Sequence, residues 1–154
     1  MTAQIRAYEP ADQAPVRALI ASVLSEFGFA LTIGGLERDL DELAARYQSR
    51  ANAGFWVAES AGNIVGTVAV RPKAGRTCEL KRLYLNPAWR GQGLGQRLYA
   101  HAEDFARSAG YAVIWVESSR RFGRAHRLYE RNGFTLVEQL QNDWEDNVYE
   151  KALT

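Results

Sequence analysis

The period of the apolar positions switches repeatedly along this chain between that of a strand and that of a helix. Gln4 to Tyr8 alternates as a short strand. Val16, Leu19, Ile20, Val23, Leu24 and Phe27 form a helical stripe, entered through Pro10-Ala11-Asp12 with Asp12 as its expected N-cap. Gly28 to Gly35 reads as a loop, and Leu36, Leu40, Leu43, Ala44 and Tyr47 mark a second helix. Phe55 to Glu59 and Ile64 to Arg71 read as strands joined at Ala61-Gly62-Asn63, a hairpin signature. Arg76 to Leu85 is the next strand. Leu94, Leu98, Ala102, Phe105 and Ala109 then recur at helical spacing. Tyr111 to Glu117 is almost wholly apolar, as expected for a strand covered on both faces. A short amphipathic helix around Tyr129 stops at Asn132-Gly133. Phe134 to Gln139 and Asn147 to Leu153 close the chain as an antiparallel pair. The order is βααβββαβαββ.

The stretch Arg90-Gly91-Gln92-Gly93-Leu94-Gly95 lies between a strand and a helix. Glycines at alternate positions remove side chains where the backbone must come close to something. A helix N-terminus also presents free N–H groups and partial positive charge, so this turn reads as a phosphate cradle. Tight strand-to-helix packing is the other reading of the same glycines. No Lys-Ser or Lys-Thr follows, which argues against a nucleoside-triphosphate loop. The spacing is not the dinucleotide GxGxxG either.

A second block, Ala125-His126-Arg127-Leu128-Tyr129-Glu130-Arg131-Asn132-Gly133-Phe134, follows after an intervening strand that ends at Ser118. Taken together, the two blocks resemble the GNAT superfamily of acetyl-CoA-dependent N-acetyltransferases. The first fits that family's (Gln/Arg)-x-x-Gly-x-(Gly/Ala) motif, the second its Ala-x-x-Leu-Tyr-x-x-x-Gly-Phe element. The resemblance is tight from Thr77 to Phe134 and elsewhere extends only to the order of elements. It implies an α/β (α+β) fold with a mixed, mostly antiparallel central sheet flanked by helices, in a single domain spanning 1–154.

By the same resemblance, the strands before and after the glycine turn splay apart and acetyl-CoA bonds between them like a substitute strand. The backbones of Leu83 and Leu85 would contact its pantetheine arm. The N–H groups of Gly91, Gln92, Gly93, Leu94, Gly95 and Gln96 would hold the pyrophosphate, with Arg90 adding charge or standing as a solvated turn residue. Tyr129 would protonate the departing thiolate, its alternative being a helix tyrosine packed on the core. Glu79 stands where some members carry a general base; otherwise it is a surface acid paired with Lys81 or Arg82. Strand alternation places Glu79, Lys81, Leu83 and Leu85 on one face and Cys78 on the other, which favours direct transfer over an acyl-cysteine. Phe122 departs from the family, many members having asparagine there. The acceptor groove is implied between Glu26–Gly35 and Leu140–Asn147. Phe27 and Phe29 would close it over an apolar substrate, whereas Glu26, Asp143, Glu145 and Asp146 would draw a cationic amine.

Composition removes several alternatives. The formal net charge is +1, giving no global attraction to nucleic acid, and Cys78 is the only cysteine, so neither an intramolecular disulfide nor a cysteine metal cluster is expected. No metal is expected, since His101 and His126 read as surface histidines without a second ligand at metal spacing. Arg120, Arg121, Arg124, Arg127 and Arg131 cluster around Tyr129 and face either the 3′-phosphate of CoA, an acidic substrate or solvent. Trp56 and Trp115 read as core, Trp89 and Trp144 as exposed residues near a ligand. Without a signal-peptide core or membrane-length apolar run, a cytoplasmic monomer or homodimer without a membrane partner is expected. The resulting expectation is acetyl transfer from acetyl-CoA to a small-molecule amine or amino acid. A non-catalytic acyl-CoA sensor and a protein or peptide N-acetyltransferase are the alternatives.

Overall fold

Residues in β2 (Gly54–Ser60) and β3 (Asn63–Ala74) alternate between two cores. Trp56, Ala58, Val68 and Val70 pack to one side, Phe55, Val57 and Ala69 to the other. Burial on both faces is what requires the nearly unbroken apolar runs of these strands. The computed structural model describes residues 2–29 and 38–153. Most of the expected Gly28–Gly35 loop and the helix start at Leu36 lie outside the described residues.

One face of the sheet is covered by α1 (Gln13–Glu26) and α2 (Leu43–Tyr47), through Val16, Ile20, Leu24, Leu43 and Tyr47. The other is covered by α3 (Leu94–Ser108) and α4 (Gly123–Arg131), through Leu94, Leu98, Ala102, Leu128 and Tyr129. The remaining strands are β1 (Gln4–Ala7), β4 (Thr77–Leu85), β5 (Val113–Ser119), β6 (Thr135–Gln139) and β7 (Asp146–Ala152). Among the described residues seven strands lie in the order β1-β2-β3-β4-β5-β7-β6, and β4 with β5 is the one parallel pair. The expected element order and mixed, mostly antiparallel sheet are both present.

Local expectations fail where a side chain finds a stronger partner. Asp12 does not cap α1: its carboxylate accepts from the Glu9 N–H at 2.8 Å and from Arg6 at 2.8 and 2.9 Å. The expected second helix is split into a 3-10 turn, Arg38–Asp41, and α2, because Glu42 between them takes a non-helical φ of −136°. β5 is not covered on both faces. Ile114 and Val116 are buried, whereas Trp115 is half-buried beneath Lys73, whose Nζ lies 3.6 Å from the ring centroid. Trp89 is core rather than exposed.

The sharpest departure is in β4. Arg82 has φ +57°, and the register with β3 slips between Thr67 and Ala69, so the strand carries a bulge. Cys78 and Leu80 precede it facing α3; Leu83 and Leu85 follow it and face α3 as well. Glu79 and Lys81 therefore do not share a face with Leu83 and Leu85, contrary to simple alternation. A non-glycine residue at positive φ costs on the order of 1–2 kcal/mol and persists only when its surroundings enforce it. Here the Thr67 hydroxyl donates to the Arg82 carbonyl at 2.6 Å, and the buried Arg82 guanidinium forks onto Asp39. Asp39 also accepts from the Tyr47 hydroxyl at 2.6 Å.

Burial opposes the charge on Asp39, yet the hydrogen bonds from Arg82 hold its carboxyl below the usual range. The stabilisation is therefore present above the ordinary Asp pKa and is lost as pH falls through the lower folded value. Asp39→Ala is expected to destabilise the protein by about 3–5 kcal/mol, because it strands a buried guanidinium. Urea unfolding checks this; a loss under about 1 kcal/mol, the scale of an exposed pair, would mean that the bulge stands without the clamp.

Candidate active site

β4 and β5 pair from Thr77/Val113 to Glu79/Trp115 and then diverge. A cleft of about 520 Å³ opens between them, walled by Lys81 to Leu85 on one side and Val116 to Ser119 on the other. Diverging strands leave backbone N–H and C=O groups that need another partner. The expected splay is thus observed, and the bulge at Arg82 lies inside it.

At the end of the cleft the chain passes through a 3-10 turn, Pro87–Trp89, into the glycine run. Gly91 and Gly93 have φ of +75° and +84°, and a Cβ built on either meets nothing within 4 Å. These glycines are therefore needed for backbone conformation, and the space above them is open. Gly93 is the N-cap of α3, and the Arg97 N–H bonds its carbonyl at 3.1 Å. Helix geometry leaves the preceding N–H groups, from Leu94 to Gln96, without intrahelical acceptors. Gly95 serves differently: a Cβ there would lie 3.3 Å from Leu85 Cδ1 and 3.5 Å from Leu128 Cδ1, so it permits close packing of α3 on β4 and α4. The site fits a pyrophosphate on an observation independent of motif, an open N-terminal turn bordering the cleft.

Arg90 is engaged elsewhere. Its Nη1 and Nη2 donate to Glu26 at 2.5 and 2.9 Å, tying the turn to the end of α1. Gln96 uses its side chain on Asn132, with bonds of 3.0 and 2.8 Å that join α3 to the end of α4. Gln92 donates to the Ala88 carbonyl at 2.8 Å. For these residues the backbone, not the side chain, remains available to a ligand.

Tyr129 is buried and lines the cleft. The described residues supply no hydrogen bond to its hydroxyl, whereas the buried side-chain atom left without a partner among them is His126 Nε2. Burial, reinforced by Tyr84 and Tyr149, pushes its phenol above the usual range, so it stays protonated as a donor. Glu79 is buried beside the fork's closed end. Its Oε1 accepts from Arg71 Nε at 2.8 Å, and the residue lines the cleft. Cys78 is fully buried in the α3 core, and burial pushes its thiol up to about 12. His126 is not a surface residue. It is buried against Tyr149, whose hydroxyl lies 3.3 Å from Nδ1, and burial lowers its pKa. His101 is exposed, edge-on to Trp56.

The opposite side of the cleft is aromatic. Phe27, Tyr84, Phe122 and Trp144 line it, and Phe29 stacks on Trp144 with centroids 4.2 Å apart. Phe122, where many GNAT members have asparagine, packs edge-on to Phe27 at 4.9 Å. Three carboxylates border this half: Glu79, Glu117 and Asp146. Burial and then the neighbouring Asp146 raise the Glu117 carboxyl above its ordinary range. Glu26 and Glu145 are paired with Arg90 and Arg121. The arginine cluster divides: Arg120 bonds main-chain carbonyls of β7 and its turn, and Arg121 bonds the Phe27 carbonyl. Arg124, Arg127 and Arg131 line the cleft along α4.

Sequence reasoning did not single out Arg71, Lys81 or Glu117. Arg71 was legible in principle, since a turn at Gly75 pairs it with Glu79 across the hairpin. The turn of the strand at Arg82 was hidden, because no local pattern announces the bulge.

Residues 20–134 match the Acetyltransferase (GNAT) family. The chain is 33% identical over 132 residues to the N-acetyltransferase YjgM of Escherichia coli, covering 82% of this chain and 78% of that protein. It is 38% identical over 104 residues to mouse N-acetyltransferase 8, a match covering 64% of this chain and 46% of that protein. Among solved structures, yncA of Salmonella typhimurium, determined with its cofactor acetyl-CoA, superposes with a TM-score of 0.80. That alignment covers 100% of this chain and 95% of the other at 23% identity, a likeness of fold.

Proposed function

Because the chain belongs to the GNAT acetyltransferase family, we propose that it moves an acetyl group from acetyl-CoA directly to a primary amine of a small molecule or amino acid. The observation that carries this reading is the fork between β4 and β5, which runs from an open glycine turn past a cleft-lining tyrosine to a buried carboxylate. In this reading one domain spanning 1–154 acts in the cytoplasm as a monomer or homodimer. No helix among the described residues is long and apolar enough to cross a membrane.

The roles follow from position. The N–H groups from Gly91 to Gln96 receive the pyrophosphate, and Arg124, Arg127 and Arg131 supply positive charge along α4. The main chain of Leu83 and Leu85 bonds the pantetheine arm, while their side chains pack on the α3 core. Tyr129 gives a proton to the leaving thiolate from the α4 side. Glu79 receives the proton of the acceptor ammonium on the opposite face, directly or through water. Cys78 lies in the α3 core with a thiol that stays protonated near neutrality, so direct transfer is the simpler route. An acetyl-cysteine trapped on the kinetic pathway would overturn that step.

An amine must lose its proton before attacking a thioester. For a lysine-like amine of pKa ~10.4 this costs about 4–5 kcal/mol at pH 7, against roughly 1 kcal/mol for an α-amine. Glu79→Gln is therefore expected to slow turnover by ~10²-fold at pH 7, with a deficit that shrinks toward pH 9.5 as free amine accumulates. A deficit equal at both pH values would make Glu79 a residue that positions the acceptor. The reading as a whole is tested by thiol release from acetyl-CoA across a panel of amino acids, polyamines and peptides. Amine-dependent release with small acceptors supports it. Release confined to peptides would move the acceptor to a polypeptide, and binding of acetyl-CoA without release would leave a sensor.

A further inference from the structure

Glu79 borders a second cavity besides the cleft. A recess of about 470 Å³ lies between the end of α2 and β3, walled by Arg46, Arg50, Arg71 and Lys73, with Glu79 at its base. The walls carry four cations. Arg46 is tied to Glu42 at 3.1 Å and Arg71 to Glu79 at 2.8 Å. Lys73 lies over the Trp115 ring and near enough to Glu117 for its charge to act on that carboxyl, without a direct ion pair among the described residues. The Arg50 carbonyl accepts from the Ala53 N–H at 3.5 Å, and its guanidinium has no hydrogen bond or ion pair among them. On the same strand face, burial and then Arg82 lower the pKa of Lys81, with Glu79 opposing them and Arg71 adding to the lowering. In a chain whose net charge is only +1, this is a local concentration of like charge.

Such a concentration is self-repelling, and an oxyanion relieves it. Arginine forks also match carboxylate geometry. Glu79 lines both the recess and the cleft, so the two cavities meet at this residue. A molecule whose amine lies in the cleft beside Glu79 can therefore extend an anionic group past that side chain into the recess. The two cavities complement the two ends of one zwitterion, with carboxylates around the amine and guanidinium groups around the anion.

We propose that the recess formed by Arg46, Arg50, Arg71 and Lys73 binds a carboxylate carried by the acceptor, so that the acceptor is an amino acid rather than a simple amine. This rests on the acetyltransferase reading for the acceptor's role, whereas the anion site itself does not. Arg50 and Lys73 are exposed on the rim, so replacing both leaves the core and the Arg71–Glu79 pair intact.

Two measurements test the proposal. Succinate and its neutral analogue succinamide are titrated calorimetrically into the protein and into the Arg50→Gln/Lys73→Gln variant. Saturable binding of succinate alone, lost in the variant, is expected. Equal behaviour of the two probes would overturn the site whether or not acetyl transfer stands. In the second, kcat/KM is compared for beta-alanine and its longer homologues, each beside its own primary amide. The carboxylate form is expected to be preferred by roughly tenfold or more at the best chain length, on the scale of one or two charge-assisted contacts. That ratio should approach one in the variant, through KM. Succinate binding without any carboxylate preference would mean the recess takes a free anion, and would overturn the acceptor assignment. Succinate binding with no acetylation of any amine would remove the acetyltransferase reading and the acceptor assignment with it, leaving an anion site.

Discussion

Gly93→Val is expected to weaken acetyl-CoA binding at least ~100-fold, about 2.7 kcal/mol, in a protein that still folds. Two effects converge at this position. A β-branched side chain at φ +84° strains the turn that aims the N–H groups of α3, and the new methyls occupy the open space above them. The strain alone, on the order of 1–2 kcal/mol, is a fraction of ordinary domain stability. A control exists at the other end of the same helix. Gly110 has φ +87°, and a Cβ there also meets nothing within 4 Å. Gly110→Val should therefore cost similar stability while leaving cofactor affinity unchanged. Calorimetry with CoA on both variants, beside their melting curves, separates strain from obstruction. Equal affinity in Gly93→Val and the parent protein would mean that the turn does not hold the cofactor. Gly95 is the poorer probe, because its Cβ would press on Leu85 and Leu128 and disturb the packing of α3.

Tyr129→Phe is expected to lower kcat by ~10²-fold or more with little change in KM for acetyl-CoA, the usual scale for a lost general acid. The substitution removes one hydroxyl, on a residue that lines the cleft, to which the described residues supply no hydrogen bond, so the melting temperature should hold or rise. Because burial pushes the phenol above its ordinary pKa, the proton stays on Tyr129 through the working range. The parent enzyme should accordingly show no alkaline loss of kcat below about pH 10, the ordinary tyrosine value. Pre-steady-state measurement identifies whether chemistry limits turnover. Near-normal kcat in Tyr129→Phe under that condition would remove the acid role and leave an aromatic packed against Phe134 and Tyr149.

How far the sequence carried depends on how local each signal was. The glycine turn was legible because Gly91 and Gly93 need positive φ and the helix after them begins at once. Tyr129 was legible through its block, and the hairpins through their turns. The bulge at Arg82 was not, because an arginine at φ +57° is enforced by Asp39, Tyr47 and Thr67, which come from distant parts of the chain. The same bulge defeated the facing of Glu79 with Leu83. Arg90 looked like a phosphate ligand by adjacency, yet Glu26 claims it across the fold. Trp89 and His126 were misjudged for a shared reason: each lies beside a turn or on a polar helix face, and only the packing of α3 and α4 on the sheet buries it.

The site assignment is tested most directly by following backbone amide resonances as acetyl-CoA is titrated into the protein. Saturating changes should concentrate at Gly91 to Gln96, at Leu83 to Leu85 and around Tyr129, with smaller effects beyond Glu79 on β4. Tight binding that leaves these amides unmoved would contradict the placement of the cofactor in the fork between β4 and β5, and with it the roles drawn for Tyr129 and Glu79.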